Sequence, residues 1–253
     1  MTTHRARACP RASLSSSSTK SRVPPILLVG EPGIGKSHFA REFARAINVP
    51  FVWQPMDGGV TAAAFVGTDK HWNEAAPGLL FTLICQGDAA NPVVVLDELD
   101  KVGRPYYQDP IGPLHTLLEP ATAAGVRDLA VDIEFNASYV TWVATANRTR
   151  SIPGPILSRF NIFEVLMPEA EQALQIAETV IDSTVSKMPI PGFVSPARML
   201  RARVAHLTAR EIRKITEEVV GRAATNGRFA ASSQDFPSWL LENKENSRSG
   251  PLH

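Results

Sequence analysis

Two short stretches of this chain carry residue types that handle phosphate. The first, Gly30-Glu31-Pro32-Gly33-Ile34-Gly35-Lys36-Ser37, has the pattern G-x-x-x-x-G-K-S. Glycines so placed let backbone N–H groups curl inward toward phosphate oxygens, and a helix starting at the loop's end adds unsatisfied N–H groups and its positive dipole end. Lys36 would reach the β- and γ-phosphates of a nucleotide, and the Ser37 hydroxyl would ligate Mg2+. The second stretch, Val93-Val94-Val95-Leu96-Asp97-Glu98, is an apolar run ending in two carboxylates. At a sheet's C-terminal edge, Asp97 could hold Mg2+ through water. Glu98, pointing differently, could orient or deprotonate an attacking water. Alone, each stretch has a plainer reading, as a Gly-rich turn or an acidic loop. Together they describe binding and hydrolysis of ATP with Mg2+.

That chemistry needs a scaffold bringing both stretches to one edge. Ile26–Val29 reads as a buried strand directly before the loop, and Ser37–Ile47 as a helix directly after it, with Phe39, Phe43 and Ile47 on one face. Phe51–Trp53, Val93–Leu96, Tyr139–Thr145 and Ile162–Leu166 read as further strands, with helical stretches between them. This alternation predicts an α/β fold: a P-loop parallel sheet covered by helices on both faces. After Pro168 the β-type runs stop, and residues 169–226 read as helical, a small all-α lid. The expected division is a leader (1–22), an ATPase core (23–167), a helical lid (168–226) and a polar tail (227–253), with one short helix near Phe236–Leu241.

Composition removes several alternatives. Of 253 residues, 44% are hydrophobic and 20% charged, ordinary for a globular protein. No apolar run is long enough to span a bilayer. A net charge of +1 supplies no global field toward nucleic acid or anionic lipid. Two cysteines, Cys9 and Cys85, do not suggest a disulfide framework, and a reducing cytoplasm fits them. The leader is Arg- and Ser-rich, with no acidic residue and no apolar h-region, so it reads as disordered rather than as a secretory signal.

Beyond these motifs, residues 24–240 or so resemble the ATPase module of Lon-type AAA+ proteins. The resemblance rests on Asn91-Pro-Val-Val-Val-Leu-Asp-Glu-Leu-Asp-Lys101, and on Asp109-Pro110 followed by Leu117-Leu118-Glu119-Pro120. It rests further on Val143-Ala144-Thr145-Ala146-Asn147 followed by Ile152-Pro153-Gly154-Pro155-Ile156-Leu157-Ser158-Arg159. It implies that Asn147 is a polar sensor of the γ-phosphate and Arg159 an arginine finger for a neighbouring subunit's ATP. It implies that Arg210, within Thr208-Ala209-Arg210-Glu211-Ile212-Arg213, is a second sensor binding the nucleotide in cis. The alternatives are a strand-ending or capping Asn147, a surface Arg159, and an Arg210 belonging to a solvated basic face. Phe65-Val66-Gly67 corresponds to the aromatic–hydrophobic–glycine loop that grips unfolded chains in translocating relatives, with an ordinary buried Phe65 as the competing reading. Arg127–Ile133 resembles the family's hairpin insertion.

The resemblance thus implies a homo-oligomeric ring of six that hydrolyses ATP to unfold, translocate or remodel a protein substrate, in the manner of a chaperone. A nucleotide-gated adaptor with slow turnover is the alternative, and neither nucleic acid nor a membrane is an expected partner. Where the family has a helical segment that helps hold adenine, this chain has its Ser-rich leader. It ends where the family's Ser/Lys protease domain would begin, so no peptidase activity is expected of it.

Overall fold

The computed structural model describes residues 22–56, 59–72, 74–102 and 109–241. The leader up to residue 21, and the tail from residue 242, lie outside the described residues. The chain divides into two compact units, between Val165 and Leu166.

In the first unit the elements run β1 (Ile26–Val29), α1 (Lys36–Ala46), β2 (Phe51–Pro55), α2 (Ala63–Val66), α3 (Leu79–Cys85), β3 (Val93–Asp97), α4 (Gly112–Leu117), α5 (Pro120–Ala123), β4 (Val126–Asp128), β5 (Ile133–Phe135), β6 (Thr141–Ala146), α6 (Gly154–Leu157) and β7 (Asn161–Glu164). Five strands form a parallel sheet in the order β2-β3-β6-β1-β7. β4 and β5 form a separate antiparallel hairpin. The P-loop strand β1 therefore sits beside β6, and β6 beside β3. Parallel pairing brings the C-terminal ends of all three to one edge, where open α/β sheets bind ligands.

The continuous apolar runs explain which strands are central. β6 is buried at every position and β3 at its first four, as strands covered on both faces require. On one face α1 presses Ala40 and Ala44 against Leu28, Val93, Val95 and Val143. Of the apolar face Phe39–Phe43–Ile47, Phe43 packs against this cluster, while Phe39 and Ile47 are exposed. Small alanines allow close helix–sheet approach, while Phe39 is half exposed and stacks on Phe43 with ring centroids 6.2 Å apart. The other face is covered by α2, α3 and α4 around Leu80, Leu114 and Trp142. Coverage of both faces stops at β7, an edge strand whose four residues are all exposed.

The second unit is helical: α7 (Ala170–Lys187), α8 (Arg198–Val204), α9 (Ala209–Thr225) and α10 (Ser238–Leu241). Thr208 caps α9 with Glu211 in a reciprocal capping box, and Glu169 and Gln172 do the same for α7. The stretch beyond residue 226 is not all tail. Phe236 and Leu240 are buried with Ile181, Ile212 and Val219. Arg228 pairs with the buried Asp235 at 2.5 Å, so residues 227–241 complete this unit's core. Among the described residues, no helix is long and apolar enough to cross a membrane.

Candidate nucleotide-binding site

The loop after β1 is shaped by its glycines. Gly33 and Gly35 have φ of 81° and 106°, the left-handed region that favours glycine. A Cβ at Gly30 would lie 2.5 Å from the Val165 carbonyl oxygen. Glu31, Pro32 and Gly33 are exposed, while Ile34 and Gly35 are half-buried. α1 starts directly at Lys36, its first hydrogen bond running from Phe39 N–H to Gly35 O at 2.9 Å.

Lys36 is almost fully buried, unusual for a lysine unless its ammonium is engaged. Its Nζ donates to Gly30 O at 2.6 Å, Glu31 O at 2.9 Å and Asn147 Oδ1 at 3.0 Å. Burial pulls its pKa below the usual lysine value, opposed mainly by the carboxylates of Asp100 and Asp97. A cation held among inward-facing oxygens matches the charge of a triphosphate.

Ser37 Oγ donates to Asp97 Oδ1 at 3.0 Å. This bond joins the loop to the end of β3, as the sequence spacing required. A hydroxyl and a carboxylate form the hard oxygen set that suits Mg2+, which binds through one or two carboxylates plus substrate phosphate. Among the described residues no cluster of three His, Cys, Asp or Glu side chains could hold a metal alone. Ser37 and Asp97 are thus the residues that would hold Mg2+, and the loop with Lys36 those that would hold ATP. Bound there, the metal would neutralise charge developing on the phosphates.

Glu98 follows Asp97 in a left-handed turn, with φ 57° and ψ 46°. The turn sends its carboxylate away from that of Asp97, to an ion pair with Lys101 at 2.7 Å. That hydrogen bond raises the Lys101 pKa.

Arg159 lies just beyond α6 and folds back onto it, donating to the Pro155 carbonyl oxygen. Its Nε is buried without a hydrogen-bond partner among the described residues. Arg210 is exposed in the first turn of α9, in the helical unit.

Of the two readings of Phe65, the structure has the ordinary buried side chain. It is 0% exposed and packs against Trp142, ring centroids 6.4 Å apart. Its place on the short helix α2 turns it into the core, away from solvent. The exposed aromatic of the same connection is Trp72, 65% exposed. Trp72 sits in a loop closed at its neck. Thr68 and Ala76 exchange backbone and hydroxyl bonds of 3.1 and 2.7 Å, and Asp128 Oδ2 accepts the Gly78 N–H at 2.7 Å. Cβ atoms would lie 2.5 Å from Gly67 N at Gly78, and 2.7 Å from Asp128 Oδ1 at Gly67. Lys70 and Arg127, both 2.8 Å from Asp132, tie the loop to the β4–β5 hairpin. Asp128 and Thr145 lie in stretches quoted from the sequence but were given no role there, though Asp128 followed by Leu-Ala-Val-Asp could have signalled a side-chain-bonded turn.

A parallel sheet of this strand order, with a phosphate loop bonded to an acidic strand end, defines a P-loop nucleotide-binding ATPase fold. Residues 26–167 match the model of the ATPase family associated with various cellular activities (AAA). The chain belongs to that family. It is similar to Lon protease 1 of Syntrophotalea carbinolica, with 36% identity over 60% of this chain and 19% of that protein. It is also similar to the mitochondrial Lon protease homolog of Bos taurus, with 34% identity over 64% of this chain and 16% of the relative. The chain thus spans about a fifth of the length of the curated relatives it matches. Among solved structures, the Thermotoga maritima RuvB Holliday junction branch migration motor shares the fold, with a TM-score of 0.58 and 16% identity over 87% of this chain and 60% of that one.

Proposed function

We propose that this protein is an ATPase that assembles as a homo-oligomeric ring, of six subunits, and uses ATP hydrolysis in the cytoplasm to unfold, translocate or remodel a protein substrate. The observation that carries the reading is the pair of bonds Ser37–Asp97 and Lys36–Asn147. They unite in one crevice the groups needed for metal, phosphate and γ-phosphate sensing. Glu98 would activate water, Arg159 would act on a neighbour's ATP, and Arg210 would sense nucleotide from the helical lid. Substrate contact falls to Trp72 rather than Phe65, because an exposed aromatic on a closed loop can grip a chain without sequence preference. No peptidase activity is proposed for this chain.

The Glu98–Lys101 ion pair favours a second reading, an adaptor with slow turnover, because it engages the carboxylate that would activate water. Steady-state ATPase activity against protein concentration separates the two. A ring motor gains specific activity as subunits associate, while an adaptor stays slow and flat. Trp72→Ala should abolish stimulation of ATPase by an unfolded protein and spare basal turnover. Stimulation equal to wild type would remove Trp72 from the reading.

A further inference from the structure

The two acids of the site are joined by a residue to which the sequence pattern gave no role of its own. Thr145 lies on β6, is 1% exposed, and sits level with the end of β3, since Leu96 pairs with Ala144 in the sheet. Its Oγ1 is 2.6 Å from Asp97 Oδ1 and 2.9 Å from the Glu98 N–H. We infer that Thr145 is a positioning residue for both carboxylates, its hydroxyl aiming Asp97 at the metal and holding Glu98 in its left-handed turn. This rests on the ATPase reading above and deepens it.

The direction of the bonds follows from chemistry. An ionised carboxylate can only accept, so Thr145 donates to Asp97 and its own lone pair takes the Glu98 N–H. Ser37 donates to the same Oδ1 at 3.0 Å. A carboxylate oxygen has two lone-pair sites, and the two hydroxyls use both. Oδ2 is thereby left for a metal-bound water, and the carboxylate cannot rotate without breaking two bonds.

The second bond acts on Glu98. Its φ of 57° is disfavoured for a residue with a Cβ, and the N–H bond to Thr145 holds the chain there. One β-branched side chain, stiff about its first torsion, thus sets two angles of the hydrolytic site. Asn147, two residues further along, accepts from Lys36. The end of β6 therefore touches the metal-binding acid, the water-activating residue and the phosphate-binding lysine.

A residue serving packing alone would need no hydroxyl, and valine has the same shape. Thr145→Val removes both bonds and keeps the volume, while Thr145→Ser keeps the hydroxyl and removes the methyl. Binding of a slowly hydrolysed ATP analogue is measured by calorimetry, with Mg2+ and with chelator. Thr145→Val should lose about ten-fold of the Mg2+-dependent affinity, the usual scale for a group that orients a metal ligand. Affinity in chelator should stay within about two-fold of wild type, while kcat should fall about ten-fold or more and KM for Mg-ATP should rise in step with the lost Mg2+-dependent affinity. Thr145→Ser should lie within about three-fold of wild type throughout. Thermal unfolding checks the fold, and if the valine variant does not fold, Thr145→Ala against Thr145→Ser makes the same comparison. Wild-type Mg2+ dependence and kcat in the hydroxyl-less variant would overturn the inference, as would a serine variant equally impaired. A wild-type chain without Mg2+-dependent nucleotide binding would instead overturn the ATPase reading itself.

Discussion

Lys36 Nζ lies 3.0 Å from Asn147 Oδ1, so the phosphate loop and the end of β6 are joined by one pair of side chains. The same ammonium donates to two carbonyls of its own loop. All three of its N–H bonds point inward, and an arriving triphosphate must exchange with them. Lys36→Ala should therefore weaken ATP binding in calorimetry by at least a hundred-fold or so, because each hydrogen bond to a charged group is worth about 1.5–3 kcal/mol and two or more are lost. Unchanged affinity would end the assignment of this loop to phosphate.

Glu98→Gln should keep ATP bound while hydrolysis falls by about 10²–10⁴, the usual contribution of a positioned acid or base. Its partner gives an independent check. Lys101→Met frees the Glu98 carboxylate from an ion pair whose side chains are both about half exposed. Such pairs hold weakly, so basal turnover should rise, by no more than about five-fold. A fall in turnover on losing Lys101 would mean that the pair belongs to the working site.

Arg159→Ala should retain ATP binding and lose about 10³-fold or more in hydrolysis, the scale of an arginine supplied to a phosphoryl transition state. Its present bond is to Pro155, in its own segment. Mixing this variant with Lys36→Ala should restore some activity, since a mixed ring pairs an intact loop with an intact arginine. Failure of rescue despite proven co-assembly would make Arg159 a structural residue.

The helical unit carries its own acid-sensitive lock. Burial alone would push the Asp235 carboxyl up, but the Arg228 guanidinium and the Ser232 N–H and hydroxyl outweigh it and hold the pKa below its ordinary value of 3.8. The folded unit then binds fewer protons than the unfolded one between the depressed and the ordinary value. Its stabilisation is complete above pH 3.8 and lost as pH falls through the depressed value. Arg228→Ala should cost on the order of 3 kcal/mol near neutral pH, as for a buried pair deprived of one partner. The gap from wild type in urea midpoint should close in strong acid. An equal gap at both pH values would place the effect elsewhere.

The sheet and the meeting of the phosphate loop with the end of β3 were legible because they rest on local pattern. Val93–Asp97 and Ile26–Val29 are apolar runs bounded by chemistry-bearing residues, and such runs have few ways to fold. What misled was burial within helices. Phe39 and Ile47 match a core-facing period, yet the sheet accepts Ala40 and Ala44 because only small residues let α1 approach closely. Phe65 was left between two readings, and Trp72 without one, for a related reason. Both are aromatics in one connection, and only tertiary packing against Trp142 decides which is buried. Thr145 and Asp128 were invisible, since each acts through a partner some 48 or 50 residues away. The residues beyond 226 looked like a polar tail because Phe236 and Leu240 are sparse among polar neighbours, and two side chains suffice to dock them.

The neck at Gly67 and Gly78 has a consequence for how such a protein can be changed. The neck is closed by the Asp128 carboxylate and the Thr68–Ala76 bonds. Doubling the length of a closed loop adds only about 0.6 kcal/mol of closure entropy. The intervening segment is therefore an interchangeable cassette. Foreign sequences grafted between Thr68 and Ala76, with the two glycines and Asp128 retained, should change what this loop presents to solvent while leaving the neck and the sheet beneath it as they are.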